Sequence, residues 1–153
     1  MRSTMAKGNW SLLRRENARF IGENLRSLSS VWAVTIYEAS NNGNHLHLLI
    51  RAKDKLGFQG FLRALAGKIA QKVTGAKKGC ALGTRFWDLP AYTRLIEWGR
   101  AFFVAKRYVI QNRLEAAGVI PYQPRTLRTK GKPSVVPDGG LSSRSQRRAR
   151  QGT

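Results

Sequence analysis

The chain has two histidines, and both lie in His45-Leu46-His47. On a β-strand, residues i and i+2 point to one face, so the two imidazoles project together. Adjacent neutral imidazoles make a partial ligand set for a divalent cation, and a third ligand must come from elsewhere. Two partly exposed strand histidines without a metal would share this pattern. Their concentration on one strand of a very basic chain favours the metal. About sixty residues on, Lys106-Arg107-Tyr108-Val109-Ile110-Gln111-Asn112 has helical character. Tyr108 and Asn112 are four apart and share a helix face, with Gln111 beside them. A phenol and a carboxamide on one face offer a nucleophile and a metal ligand. A tyrosine in an amphipathic helix also serves plain core packing with its hydroxyl at the rim. Lys106 and Arg107 flank the phenol and suit a phosphate.

These side chains need elements to hold them. Ser11 to about Leu28 reads as a helix, with Leu13, Phe20, Ile21, Leu25 and Leu28 near one face, and Ser27, Ser29 and Ser30 break the pattern. Val31–Ala39 is rich in β-branched and aromatic residues and reads as a strand. Ser40-Asn41-Asn42-Gly43-Asn44 is a turn, and His45–Ile50 is a second strand, which together predict an antiparallel hairpin. In that strand Leu46, Leu48 and Ile50 face a core, away from the histidines. Asp54 suits a helix cap, and Phe58, Leu62, Leu65, Ile69 and Val73 recur at helical steps behind it, although Gly57, Gly60 and Gly67 blur the helix ends. Thr84–Leu89 and Ala91–Ile96 read as a short strand region bent at Pro90. From about Glu97 to Ala117 the pattern is helical again, with Gly118 as its C-terminal cap. Residues 122–153 are poor in apolar side chains and rich in proline, glycine and arginine. They read as a disordered basic tail able to grip phosphates, behind a folded domain over 1–121.

Composition sets the partner class. The 153 residues include 28 Lys+Arg against 8 Asp+Glu, a net charge of +20, and the pI is about 11.5. Charge of that size calls for a polyanion, most simply nucleic acid. The apolar share, 42%, is enough for a core. No apolar run is long enough to span a bilayer, so no membrane partner is expected. A single cysteine, Cys80, excludes an internal disulfide and multi-cysteine zinc sites. The first residues are basic with no apolar stretch behind them, unlike a signal peptide, which points to the cytoplasm. A ribosomal protein would satisfy the charge but gives no reason for the histidines to cluster.

Gly43-Asn44-His45-Leu46-His47-Leu48-Leu49-Ile50 resembles the HUH motif, histidine–hydrophobe–histidine, in its asparagine-led form. Tyr108-Val109-Ile110-Gln111-Asn112, followed by Leu114-Glu115-Ala116-Ala117-Gly118, resembles the tyrosine-helix signature of single-tyrosine HUH transposases. More narrowly, it is similar to the REP-associated tyrosine transposases of bacteria, relatives of the insertion-sequence 200/605 group. Phe86-Trp87 matches the aromatic pair usual at that family's last strand. The resemblance covers roughly Ser11 to Ile120. His-hydrophobe-His alone is weakly specific; with the tyrosine motif in this order it is fairly specific.

The resemblance implies an α+β fold, an antiparallel sheet flanked by helices, ferredoxin-like in outline. It implies a DNA-binding HUH endonuclease of DNA transposition and recombination that cuts and rejoins single-stranded DNA, often beside a hairpin, in a bacterial cytoplasm near the nucleoid. Tyr108 would attack the scissile phosphate and form a 5′-phosphotyrosine intermediate. His45 and His47 would bind a divalent metal, Mg²⁺ or Mn²⁺, with Asn112 as third ligand and Gln111 as the neighbour to test second. Relatives act as monomers or homodimers. Arg51, Lys53, Arg85, Arg94, Lys106 and Arg107 are candidates for the DNA backbone. Trp32, Tyr37, Phe86, Trp87 and Tyr92 are candidates for stacking on unpaired bases, with core packing the plainer role for most. Two departures stand out. Met1–Trp10 does not read as the first strand usual in the family; either that strand is degenerate or the true start lies upstream. Arg113 stands where many relatives have proline. The competing reading is a non-catalytic relative that only grips structured single-stranded DNA or RNA.

Overall fold

The Asn-Asn-Gly-Asn sequence closes a tight hairpin because Gly43 adopts a positive φ of 85°. A side chain there would also press on Leu13, at 3.3 Å from an added Cβ. A computed structural model describes residues 1–77, 80 and 83–124. Strand β1 (Val34–Asn41) and strand β2 (Leu46–Ala52) pair antiparallel, the expected hairpin shifted by one to three residues. Helix α1 (Arg15–Val31) precedes them. Helix α2 (Lys55–Thr74) and helix α3 (Arg100–Ala116) follow. The architecture is α+β, and Met1–Tyr122 forms one compact unit.

The helix boundaries follow local chemistry. Asp54 caps α2 by accepting from the Gly57 N–H at 2.7 Å, and Gly75 ends it in the left-handed conformation. The Gly118 N–H donates to the Glu115 carbonyl at 3.1 Å and the Val119 N–H to the Leu114 carbonyl at 3.0 Å. This pairing, with Gly118 at φ 69°, is the glycine-ended cap expected for α3. The serines near residue 28 do not stop α1. Ser27 and Ser29 donate back to the carbonyls of Asn24 and Arg26, which leaves the helix intact to Val31.

One layer of the core lies between the hairpin and the α1/α2 pair. Ile21 and Leu28 of α1 meet Phe61, Leu65, Ile69 and Val73 of α2, over Val34 and Leu46 of the sheet. Leu48 and Ile50 pack against the same cluster, as alternation along β2 requires. Helix α3 packs on β1 and β2 from the other face, so the sheet is sandwiched.

The region between α2 and α3 departs from expectation. Among the described residues of 83–99 there is no strand. What remains of the Thr84–Leu89 expectation is a short contact with the N-terminus. The Asp88 N–H donates to the Arg2 carbonyl at 3.1 Å, the buried Ser3 hydroxyl donates to the Phe86 carbonyl, and the Asp88 carboxylate accepts from the Thr4 N–H at 2.9 Å. Too few ladder bonds form for a strand, and Pro90, which lacks a donor, follows at once. Residues 1–4 in turn lie along β2. Arg2 bridges His45, the Leu46 N–H donates to the Met1 carbonyl at 2.9 Å, and the Ser3 N–H to the Asn44 carbonyl at 2.8 Å. Met1–Thr4 therefore pairs only with the start of β2, too short and irregular to read as a strand in sequence. The expected tail lies outside the described residues from 125 onward.

Candidate active site

Paired residues of an antiparallel hairpin share a face, so the register decides what α3 meets. His47 pairs with Ser40, and Leu49 with Glu38, while Leu46 and Leu48 pair with Asn41 and Ala39 and point to the core. His45, two residues before His47, belongs to the α3 face. Between Ile36 and Glu38 the register shifts by a bulge at Tyr37. The extra residue lets both Tyr37 and Glu38 reach α3. Tyr37 meets the Phe102 ring at 5.2 Å. Glu38, nearly buried, pairs with Arg113 at 3.1 Å and Lys106 at 3.9 Å. These contacts join α3 to β1, and Tyr108 on the same helix meets the His47 ring.

The two imidazole centroids are 4.7 Å apart, and the Tyr108 ring lies 5.4 Å from that of His47. Both histidines are half-buried, whereas Tyr108 is 40% exposed. Its ring therefore reaches both His47 and solvent. Nδ1 of His45 is 2.6 Å from Oδ1 of Asn44. In the tautomer that donates from Nδ1 to this oxygen, Nε2 keeps the lone pair that suits a ligand role. Asn112 is 2% exposed. Its Nδ2 donates to the Tyr108 carbonyl at 2.7 Å, and its Oδ1 accepts from Asn42 Nδ2 at 3.3 Å. Asn42 Oδ1 accepts from Ser40 Oγ at 2.5 Å. This chain of amides ties the hairpin turn to the tyrosine turn of α3.

The expected site residues thus separate. His45, His47 and Tyr108 meet through their rings, and Asn112 joins through Asn42 and the Tyr108 backbone. Gln111 turns along the helix and donates to Glu115 at 2.9 Å. Among the described residues no three His, Cys, Asp or Glu converge on a metal position. A cation there needs an amide oxygen, and Asn112 Oδ1 has a second lone pair to offer. Imidazole nitrogens and an amide oxygen are donor types that suit a divalent cation.

Of the candidate DNA contacts, Arg51, Lys53, Arg85, Arg94 and Arg107 are exposed, with Arg107 next to Tyr108. Lys106 is half-buried and paired with Glu38. Most of the aromatic candidates have packing roles. Phe86 is buried in the core, Trp87 Nε1 donates to the Ala66 carbonyl at 2.9 Å, and Trp32 lies against α2 beside Gly60. Tyr92 is exposed.

Sequence reasoning missed Glu38, Asn42 and the orienting role of Asn44. A lone acid in an apolar strand of so basic a chain was a signal for Glu38. The asparagines had none beyond turn composition. Comparison of the chain with family models, curated proteins and solved structures gave no match.

Proposed function

We propose that the protein is a metal-dependent HUH endonuclease of the single-tyrosine transposase type, with a ferredoxin-like core, acting on single-stranded DNA. The observation that carries this reading is the run of ring contacts from His45 to His47 and from His47 to Tyr108. Residues from a strand and from a helix about sixty positions away share one partly exposed patch. Core packing of a tyrosine does not require two histidines beneath it. The coarse partner class follows from a net charge of +20.

In this reading the Tyr108 hydroxyl oxygen attacks the scissile phosphorus. A phosphorus–oxygen bond to tyrosine forms as the bond to the 3′-oxygen breaks. The phenol gives up its proton and the departing 3′-oxygen gains one. The products are a 5′-phosphotyrosine and a free 3′-hydroxyl. The phosphodiester energy stays in the covalent link, so a 3′-hydroxyl can rejoin the strand without a nucleoside triphosphate. His45, His47 and Asn112 would hold Mg²⁺ or Mn²⁺, which supplies polarisation of a non-bridging phosphate oxygen and offsets charge in the transition state. Asn44 orients His45. Glu38 and Asn42 hold α3 so that Tyr108 stays beside His47. Arg107 would hold a neighbouring phosphate.

A non-catalytic nucleic-acid-binding relative is the alternative. The lack of a readable first strand favours it slightly; Met1–Thr4 pairs with residues 44–46 at the start of β2. The test is a denaturing gel of purified protein mixed with a pool of single-stranded hairpin oligonucleotides and Mg²⁺ or Mn²⁺. A protein–DNA adduct is expected, lost with EDTA, Tyr108→Phe and His45→Ala. DNA binding without adduct or cleavage in the wild type would sink the catalytic reading.

A further inference from the structure

The reaction leaves an aromatic cluster at the start of α3 without a role. Trp98 and Phe103 are 63% and 64% exposed. Tyr37 and Phe102 lie half-buried beside them. Trp98 stacks at a tilt on Phe102 at 4.6 Å and meets Tyr37 edge-on at 5.5 Å, while Phe102 meets Phe103 at 5.7 Å. Four rings thus form one network that β1 and α3 hold in place, with two rings open to water. Large exposed apolar rings on a rigid support mark a binding surface.

The charges around the cluster identify its occupant. Arg94, Arg100 and Arg107 are exposed nearby in the chain, and Glu97 is the one acid between Leu89 and Leu114. An apolar protein partner would leave the arginines unexplained. A second copy carries the same +20 charge and is repelled. Unpaired nucleotides answer both features, because bases stack on aromatic rings and phosphates pair with arginines. We propose that Trp98 and Phe103, backed by Tyr37 and Phe102, form a stacking platform for unpaired bases of single-stranded DNA. Helix geometry puts Phe103 about 8 Å along α3 from Tyr108 and about 140° around it, so a strand joining them wraps the solvent side of the helix. The platform would hold the strand before it rounds α3 to the tyrosine and tolerate any base.

The inference rests on the single-stranded DNA reading of the site, but its readout is separate from the chemistry. Full-length Tyr108→Phe protein is titrated by fluorescence anisotropy with labelled oligothymidylate and with an abasic oligonucleotide of equal length. Trp98→Ala and Phe103→Ala are added to that background, with thermal melts to show that the fold persists. Each is expected to weaken oligothymidylate binding roughly five- to a hundredfold and to leave abasic binding nearly unchanged. Trp98→Tyr should recover most of the loss. Unchanged oligothymidylate affinity in both alanine variants would overturn the platform, as would equal losses on the abasic strand. A wild-type dimer that these substitutions dissociate would overturn it too, by assigning the rings to a second copy. If no Tyr108 adduct ever forms but Trp98 still governs oligothymidylate affinity, the catalytic reading falls and the platform stands.

Discussion

Asn112 separates two explanations of the tyrosine motif. It is buried, and both ends of its amide are engaged, one on the Tyr108 carbonyl and one on Asn42. Asn112→Ala would leave Asn42 short of a partner and is expected to cost about 1–3 kcal/mol in a urea melt. It should also remove the metal-dependent adduct. Gln111→Ala loses only a partly exposed bond to Glu115. It is expected to change stability by less than about 0.5 kcal/mol and to keep the adduct. Adduct loss in Gln111→Ala, with retention in Asn112→Ala, would exchange their roles. The helical spacing put both carboxamides near the tyrosine. Which of them turns toward the hairpin depends on Asn42, a residue 70 positions away that sequence presents only as part of a turn.

At the scale of elements, the glycines of α2 have a packing cause. A Cβ at Gly60 would stand 2.2–2.5 Å from the Trp32 ring, and one at Gly57 would stand 2.8 Å from the Trp32 carbonyl. The start of α2 must therefore pass close under the end of α1, and only glycine permits it. Gly60→Ala is expected to destabilise by about 1–3 kcal/mol through overpacking, although alanine favours a helix. Gly67 has open space around it, so Gly67→Ala should stabilise by a few tenths to about 1 kcal/mol through helix propensity. Chemical denaturation of both variants checks the contrast. Sequence showed the hairpin, the Asp54 cap and the Gly118 stop because each is written in adjacent residues. It missed the N-terminal bridge to His45 and the irregular path through 83–99. Their few hydrogen bonds join residues 1–4 to residues 44–46 and 86–88, and no local pattern records such pairings.

For the whole molecule, charge governs affinity. Residues 122–153 contribute Arg125, Arg128, Lys130, Lys132, Arg144, Arg147, Arg148 and Arg150 against Asp138. Truncation after Pro124 keeps the compact Met1–Tyr122 unit. It is expected to weaken binding to every single strand alike and to flatten the fall of log affinity with log salt by about 0.7 for each phosphate that the tail no longer neutralises. Adduct formation at saturating DNA should survive. An unchanged salt slope would show that the tail does not touch phosphates. No helix among the described residues is long and apolar enough to cross a membrane.

The sequence by itself determined the chemistry on offer: two imidazoles on one strand face, a phenol and a carboxamide on one helix face, and a strong positive charge. Those are properties of residue type and short-range period, which a chain carries before it folds. Only the tertiary structure decided that the two faces meet. The Tyr37 bulge and the nearly buried Glu38 join α3 to β1. Phe103 stays exposed because α3 turns the neighbouring Phe102 toward Tyr37 instead. Long-range packing of this kind depends on how whole faces fit, which spacing along the chain does not encode.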